Sequence, residues 1–286
     1  MNVKSLCQND IKALLPHRPE ISHKYTFGRV VAVCGSEGMC GAAYLCAGAA
    51  YRTGCGLVEI VTPEQNRIPL QTSLPEAIVT CYDSQDPDKS VIRAAVRRAD
   101  TVVVGCGLGT SLTSIKVLDT VLRAATSPLV IDADALNIIA AGAAFWDTLK
   151  VPTVITPHMG EMSRLTGMDV GALLEDMPKA AQEFATEHGV VCLLKHHKTV
   201  ISDGESTYIN QFGNSGMATG GSGDVLAGII ASLLAQQKSA DELCRTAALG
   251  ALIHSLAGDR AAERLGEYSV MASDIIEDIS GVLKKP

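Results

Sequence analysis

The chain has 286 residues, 47% hydrophobic and 19% charged, enough apolar content to close a core in one large domain expected over 1–286. A net charge of −7 without any basic run argues against a nucleic-acid partner. No apolar run is long and charge-free enough to span a membrane, and MNVKSLCQNDIKALLPHRPE at the start holds no signal-peptide core.

In chain order, GRVVAV (28–33) is a β-branched run and predicts a strand. GAAYLCAGAAYRTGC (41–55) predicts a helix of small residues, and GLVEIVTP (56–63) a second strand. Further strands are expected at 101–105, 128–133, 153–156 and 190–195, with helical segments between most of them. Near-continuous apolar strands alternating with helices mean an α/β fold, a mostly parallel sheet covered by helices on both faces. TVISDGESTYINQ (199–211) sets an Asp-Gly turn between two short alternating runs and predicts a hairpin. The last third is expected to be helical at 224–236, roughly 241–265 and 272–284. The nine cysteines form no CxxC pair and sit mostly in apolar stretches, which reads as small buried hydrophobes in a reducing cytoplasm.

Ligands of open parallel sheets bind beyond the carboxyl ends of the strands. Polar and glycine residues gather at five such ends: CGSEGMCGA (34–42), CGLGTS (106–111), DADALN (132–137), PHMGE (157–161) and KHHKT (195–199). The glycine loops match neither GxGxxG nor GxxxxGK[ST], which counts against a Rossmann dehydrogenase. They read as tight turns or as places where backbone approaches a ligand. Glu161 is either a first-turn cap or a group that positions metal or water near a phosphate. His158 is a hydrogen-bonded loop histidine or a ligand contact, and Asp132 and Asp134 are caps or ligand groups. Lys195 is an exposed strand end or a phosphate ligand. His196 and His197, as strand neighbours, are expected on opposite faces and so not as a metal pair.

In GMATGGSGDVLAGIIASLLA (216–235), Val225, Leu226, Ile229, Ile230, Leu233 and Leu234 recur at helical spacing and predict a buried helix. The glycines before it let backbone N–H groups approach an anion, so Gly220, Gly221, Ser222 and Gly223 form a candidate anion hole. Asp224 then has two readings. It is a first-turn cap, or it is a base that takes a proton from a hydroxyl while the N–H groups hold the phosphoryl group under attack.

As a set and in this order, these motifs, together with FGRVVAVCGSEGMCGAAYLCAGAAYRTGCGLVEIVTP and VITPHMGEMSRLTG, resemble the ADP/ATP-dependent NAD(P)H-hydrate dehydratases. The resemblance runs over roughly residues 20 to 285. It implies a ribokinase-like three-layer sandwich. It also implies a repair lyase that uses ADP (or ATP) and Mg2+ to return NAD(P)H hydrate to NAD(P)H, as a cytoplasmic homotetramer. Many bacterial members carry an N-terminal epimerase domain; a stand-alone dehydratase is expected here.

By the resemblance, Asp224 matches the family's base, with Gly221, Ser222 and Gly223 as the anion hole. The adenine-nucleotide segment falls on Lys195, His196, His197, Lys198 and Thr199, with Gly223. Ala42, Gly107, Gly109 and His158 match positions around the hydrate, and Glu161 matches a glutamate associated with magnesium and phosphate. The chain departs from the family where Cys106 and Met159 replace common prolines and where His196 and His197 replace small residues. None of these removes a group the mechanism needs. A superfamily kinase of a small alcohol such as hydroxymethylpyrimidine, which stops at the phosphate ester, is the alternative; a non-catalytic nucleotide sensor is another.

Overall fold

The computed structural model describes residues 2–237 and 242–284. The expected helix start at 241, and positions 1, 238–241 and 285–286 of the expected domain, lie outside the described residues. The chain runs β1 (Asn2–Ser5), α1 (Asn9–Leu14), β2 (Arg29–Val33), α2 (Cys40–Thr53), β3 (Leu57–Pro63), α3 (Arg67–Ser73), β4 (Ile78–Tyr82) and α4 (Lys89–Arg97). It continues through β5 (Thr101–Val104), α5 (Leu112–Ala124), β6 (Leu129–Ile131), α6 (Asp134–Ala141), β7 (Thr153–Ile155), α7 (Met159–Thr166), α8 (Val170–Glu175) and α9 (Met177–His188). It ends with β8 (Val191–Leu194), β9 (Thr199–Ser202), β10 (Ser206–Asn210), α10 (Ser222–Gln236), α11 (Leu243–Leu265) and α12 (Ala272–Leu283).

The strands make one sheet in the order β1-β10-β9-β8-β7-β6-β5-β2-β3-β4. β9 is antiparallel to β8 and β10, and the other pairings are parallel. From β2 the chain builds outward through β3 and β4; from β5 it builds the other way through β6, β7 and β8. That leaves a switch point between β2 and β5, where such sheets open a crevice. Val30, Ala32 and Cys34 pack with α2, α10, α11 and α12 on one face. Val31 and Val33 pack with helices α4 to α9 on the other. Burial on both faces is why these strands carry unbroken apolar runs.

The expected strands and hairpin are present, within a residue or two at their ends. Two further strands are present. β4 widens one edge. β1 pairs with β10 from Asn2↔Ser206 to Ser5↔Ile209 at the other edge, and four partly polar residues whose partner is so distant carry no local signal. α10 lies against α2 so closely that a methyl on Gly228 would overlap the Cys46 carbonyl. Among the described residues no helix is long and apolar enough to cross a membrane.

Candidate active site

The N-terminus of α10 meets the carboxyl ends of the central strands. Gly221, just before it, has φ 90° and ψ −11°, and a Cβ there would collide with the Leu45 side chain, so glycine is required. No side chain caps α10, and the Ser222 N–H reaches Thr219 O only at 3.4 Å. First-turn N–H groups have no partner within a helix, so this end of α10 offers donors to an anion. Ser222 Oγ is held by His254 Nε2 of α11 at 3.2 Å. Burial pushes His254 down to about 4, so its ring is neutral near pH 7.

Asp224 stands in this uncapped first turn. Burial, with the negative charge of Asp132 next, pushes its carboxyl up to about 7. A carboxylate poised there can take a proton at neutral pH. Asp132 is 1% exposed and forms the hub of the site. Its Oδ1 accepts from Thr156 Oγ1 and from Lys195 Nζ, each at 2.7 Å. Burial works to discharge Lys195, but the carboxylates of Asp132 and Glu161 outweigh it and hold the ammonium above its ordinary range. A methyl on Gly223 would lie 3.4 Å from Lys195 Nζ, so a fixed cation and a helix N-terminus face the same spot. Phosphate is the ligand class this combination suits.

The PHMGE and KHHKT loops join where the Lys195 N–H donates to Pro157 O at 2.8 Å. His158 and Glu161 form a reciprocal capping box on α7. Gly160 and Glu161 N–H donate to His158 Nδ1 at 2.9 and 3.2 Å, and His158 N–H donates to Glu161 Oε2 at 2.8 Å. Burial raises the Glu161 pKa above its ordinary value. Burial, with Lys195 beside it, lowers that of His158. Gly107 lies against Ala42, where a methyl on the glycine would come within 2.7 Å of the Ala42 Cβ. Gly109 N–H donates to Asp134 Oδ2 at 2.8 Å, so Asp134 holds the glycine loop. Neither Asp132 nor Asp134 is a side-chain cap of α6.

Lys198 is exposed and Thr199 opens β9. His196 and His197 are also exposed, and here the expectation of opposite faces fails. Their Nδ1 atoms contact each other, with ring centroids 4.6 Å apart. Residues 196–198 form a bend between β8 and β9, not a strand, so the alternation that separates neighbouring side chains does not apply. Two features lay beyond sequence reasoning: the Asp132–Lys195 pair, and the gathering of Cys34, Cys46 and Cys106, whose sulfurs lie within 4.8 Å of one another. Both join residues far apart in the chain, so no spacing announces them. A separate cavity of about 1470 Å³ opens at the other end of α10, between residues 8–18 and α11 and α12. Its Arg18 is committed to Gly54 O and the Phe27 ring, and the polar cluster around Asp224 is not part of it.

The family model for NAD(P)H-hydrate dehydratase matches residues 30–280. A bifunctional NAD(P)H-hydrate repair enzyme of Moorella thermoacetica is 39% identical over 283 residues, 96% of this chain and 52% of that protein. The chain thus spans about half the length of the bifunctional relatives it matches. The ADP-dependent (S)-NAD(P)H-hydrate dehydratase of Neisseria meningitidis is 38% identical over 87% of this chain and 82% of its own. The ADP/ATP-dependent dehydratase of Bacillus subtilis, co-crystallised with ATP and Mg2+, superposes with a TM-score of 0.83 at 27% identity, covering 99% of this chain and 98% of that one. The sandwich is ribokinase-like, the family model spans most of it, and the chain belongs to the NAD(P)H-hydrate dehydratase family.

Proposed function

We propose that the chain converts (6S)-NAD(P)H hydrate back to NAD(P)H with ADP as phosphoryl donor, releasing AMP and phosphate. The observation that carries this reading is Asp224, half-buried beside an uncapped helix N-terminus and raised to about 7. In the proposed reaction Asp224 takes the proton of the 6-hydroxyl as that oxygen attacks the β-phosphorus of ADP. The bond from that phosphorus to the AMP oxygen breaks, and AMP leaves. The first-turn N–H groups at Ser222 and Gly223, with Lys195, hold the charge on the transferred phosphoryl group. Hydroxide is a poor leaving group and phosphate a good one. The C6–O bond therefore breaks with its electrons, the C5 proton passes to solvent, the ring double bond returns, and Asp224 gives its proton back to solvent. Hydrate and ADP go in; NAD(P)H, AMP and phosphate come out, and the atoms balance.

The adenylate is proposed to lie over Lys195 to Thr199 near Gly223, and the hydrate between Ala42, Gly107, Gly109 and His158. Among the described residues no three carboxylates converge. A magnesium ion therefore suits this site only when carried by the nucleotide phosphates, where it would offset their charge. Glu161 has one oxygen on His158 N–H and the other 3.4 Å from His158 Nε2, which leaves it to orient a water of such an ion.

The test is purified protein with hydrated NADH, magnesium, and ADP or ATP in parallel. Recovery of NADH absorbance with AMP or ADP and phosphate is expected. A stable phosphate ester would instead mean the kinase reading, and no turnover the sensor reading.

A further inference from the structure

Cys34 follows β2, Cys106 follows β5, and Cys46 lies in α2, so three separate elements deliver thiols to the switch point of the sheet. Each is 0% exposed, and their sulfurs lie within 4.8 Å of one another. Ligands at about 2.3 Å from zinc stand roughly 3.7–4 Å apart, so closing this triangle needs only small side-chain shifts. A second triangle shares a corner with the first. The Cys106 sulfur and carboxylate oxygens of Asp132 and Asp224 also lie within 4.8 Å of one another. Asp132 is held by Lys195 and Thr156 through Oδ1 and takes the Cys106 thiol on Oδ2 at 3.9 Å, whereas Asp224 is not spent on capping its helix. Three thiols, with a carboxylate in reach of one of them, are chemistry for a thiophilic d10 cation, not for magnesium.

We propose that Cys34, Cys46 and Cys106 bind one zinc-class cation, with Asp224 as fourth ligand, and that the bound ion switches the enzyme off by occupying its base. Each thiol releases its proton to solvent as its sulfur takes a coordination position, so three protons leave per ion. With three thiolates and the Asp224 carboxylate, the zinc unit carries two negative charges. Lys195 and the N-terminus of α10 are the positive groups beside it. The site itself stands on the thiol geometry; only the inhibition rests on the role proposed for Asp224.

Cadmium is the probe, because thiolate-to-cadmium charge transfer absorbs in the ultraviolet whether or not the enzyme turns over. With the full chain in a non-thiol reductant, one equivalent of Cd2+ is expected to produce that band and Zn2+ to remove it by displacement. Zn2+ is expected to stop NADH recovery, and a chelator to restore it. Cys46→Ala touches none of the reacting groups. It is expected to keep basal activity and weaken metal binding by more than about 100-fold, since even outer-shell losses cost about 10–100-fold. Cys34→Ser is the second variant should Cys46→Ala fold poorly, and Cys7→Ser, at an exposed thiol, is expected to change nothing. No band at one equivalent, or a band that survives both Cys46→Ala and Cys34→Ser, overturns the site. A full band with undiminished turnover overturns Asp224 as ligand. Protein that shows the band but no hydrate repair in metal-free buffer would retain the site while the functional reading fails.

Discussion

A capping aspartate spends its carboxylate on first-turn N–H groups, and Asp224 does not. Asparagine caps about as well as aspartate but accepts no proton. Asp224→Asn is therefore expected to lower the repair rate by about 10²–10⁴-fold, roughly 3–5 kcal/mol of barrier, while nucleotide titration shows affinity retained. The rate of the wild type is expected to rise with pH through about 7, because the protonated carboxyl is no base. Stability runs the other way. The folded-state value lies above that of a free aspartate, so the native state keeps a proton that the unfolded chain gives up. The resulting stabilisation is complete below 3.8 and is lost as pH rises towards about 7. Melts of Asp224→Asn against wild type should thus show a larger Tm gain at about pH 8 than at about pH 5; an equal gain would contradict the raised value. Ala133 marks a second stress point. It sits at φ 50° between the two aspartates that hold Lys195 and the glycine loop, a conformation side chains rarely adopt. Relief of about 1–3 kcal/mol of strain, less about 0.5–1 kcal/mol for the greater freedom of glycine, predicts that Ala133→Gly gains about 1 kcal/mol. A lower urea midpoint would refute that. The sequence left Asp132 open as cap or ligand, because its true partner, Lys195, is brought near only by the folded sheet.

The pairing of α10 with α2 positions the site. Gly228 lets the two helices touch backbone to side, and that contact sets where the first turn of α10 stands relative to Ala42. Gly228→Ala would drive a methyl into the Cys46 carbonyl, and neither helix can yield without moving its own core. A loss of at least about 2 kcal/mol is expected, read as a fall in the urea midpoint, together with weaker turnover from a displaced Asp224. Apolar periodicity and β-branched runs made most strands and the C-terminal helices legible. β4 was not singled out, although IVTCY is β-branched and the DSQDPD that follows is rich in turn residues, and β1 has no signal of its own. The KHHKT stretch misled for a different reason. Its polar residues follow directly on β8, so the strand seemed to continue where the chain already bends toward β9.

Across the whole molecule, the five strand ends singled out from the sequence do gather around one helix mouth, because parallel strands bring all their carboxyl ends to one side. What the sequence could not convey was depth: which thiols and carboxylates would share the floor of that crevice. The edge formed by β1 is remote from this floor along the sheet. A chain lacking residues 1–5 is therefore expected to melt at lower temperature yet repair the hydrate at near wild-type rate. Loss of activity in a folded truncation would show that the edge and the site communicate. The same pairing sets an order of events during synthesis. Asn2 to Ser5 are made before their partners Ser206 to Ile209, which follow about two hundred residues later. At about 5–20 residues per second the opening segment waits roughly 10–40 s. Residues made this early are then among the last to find their place, and until they do, the hairpin's outer strand is an open seam for another nascent copy to join.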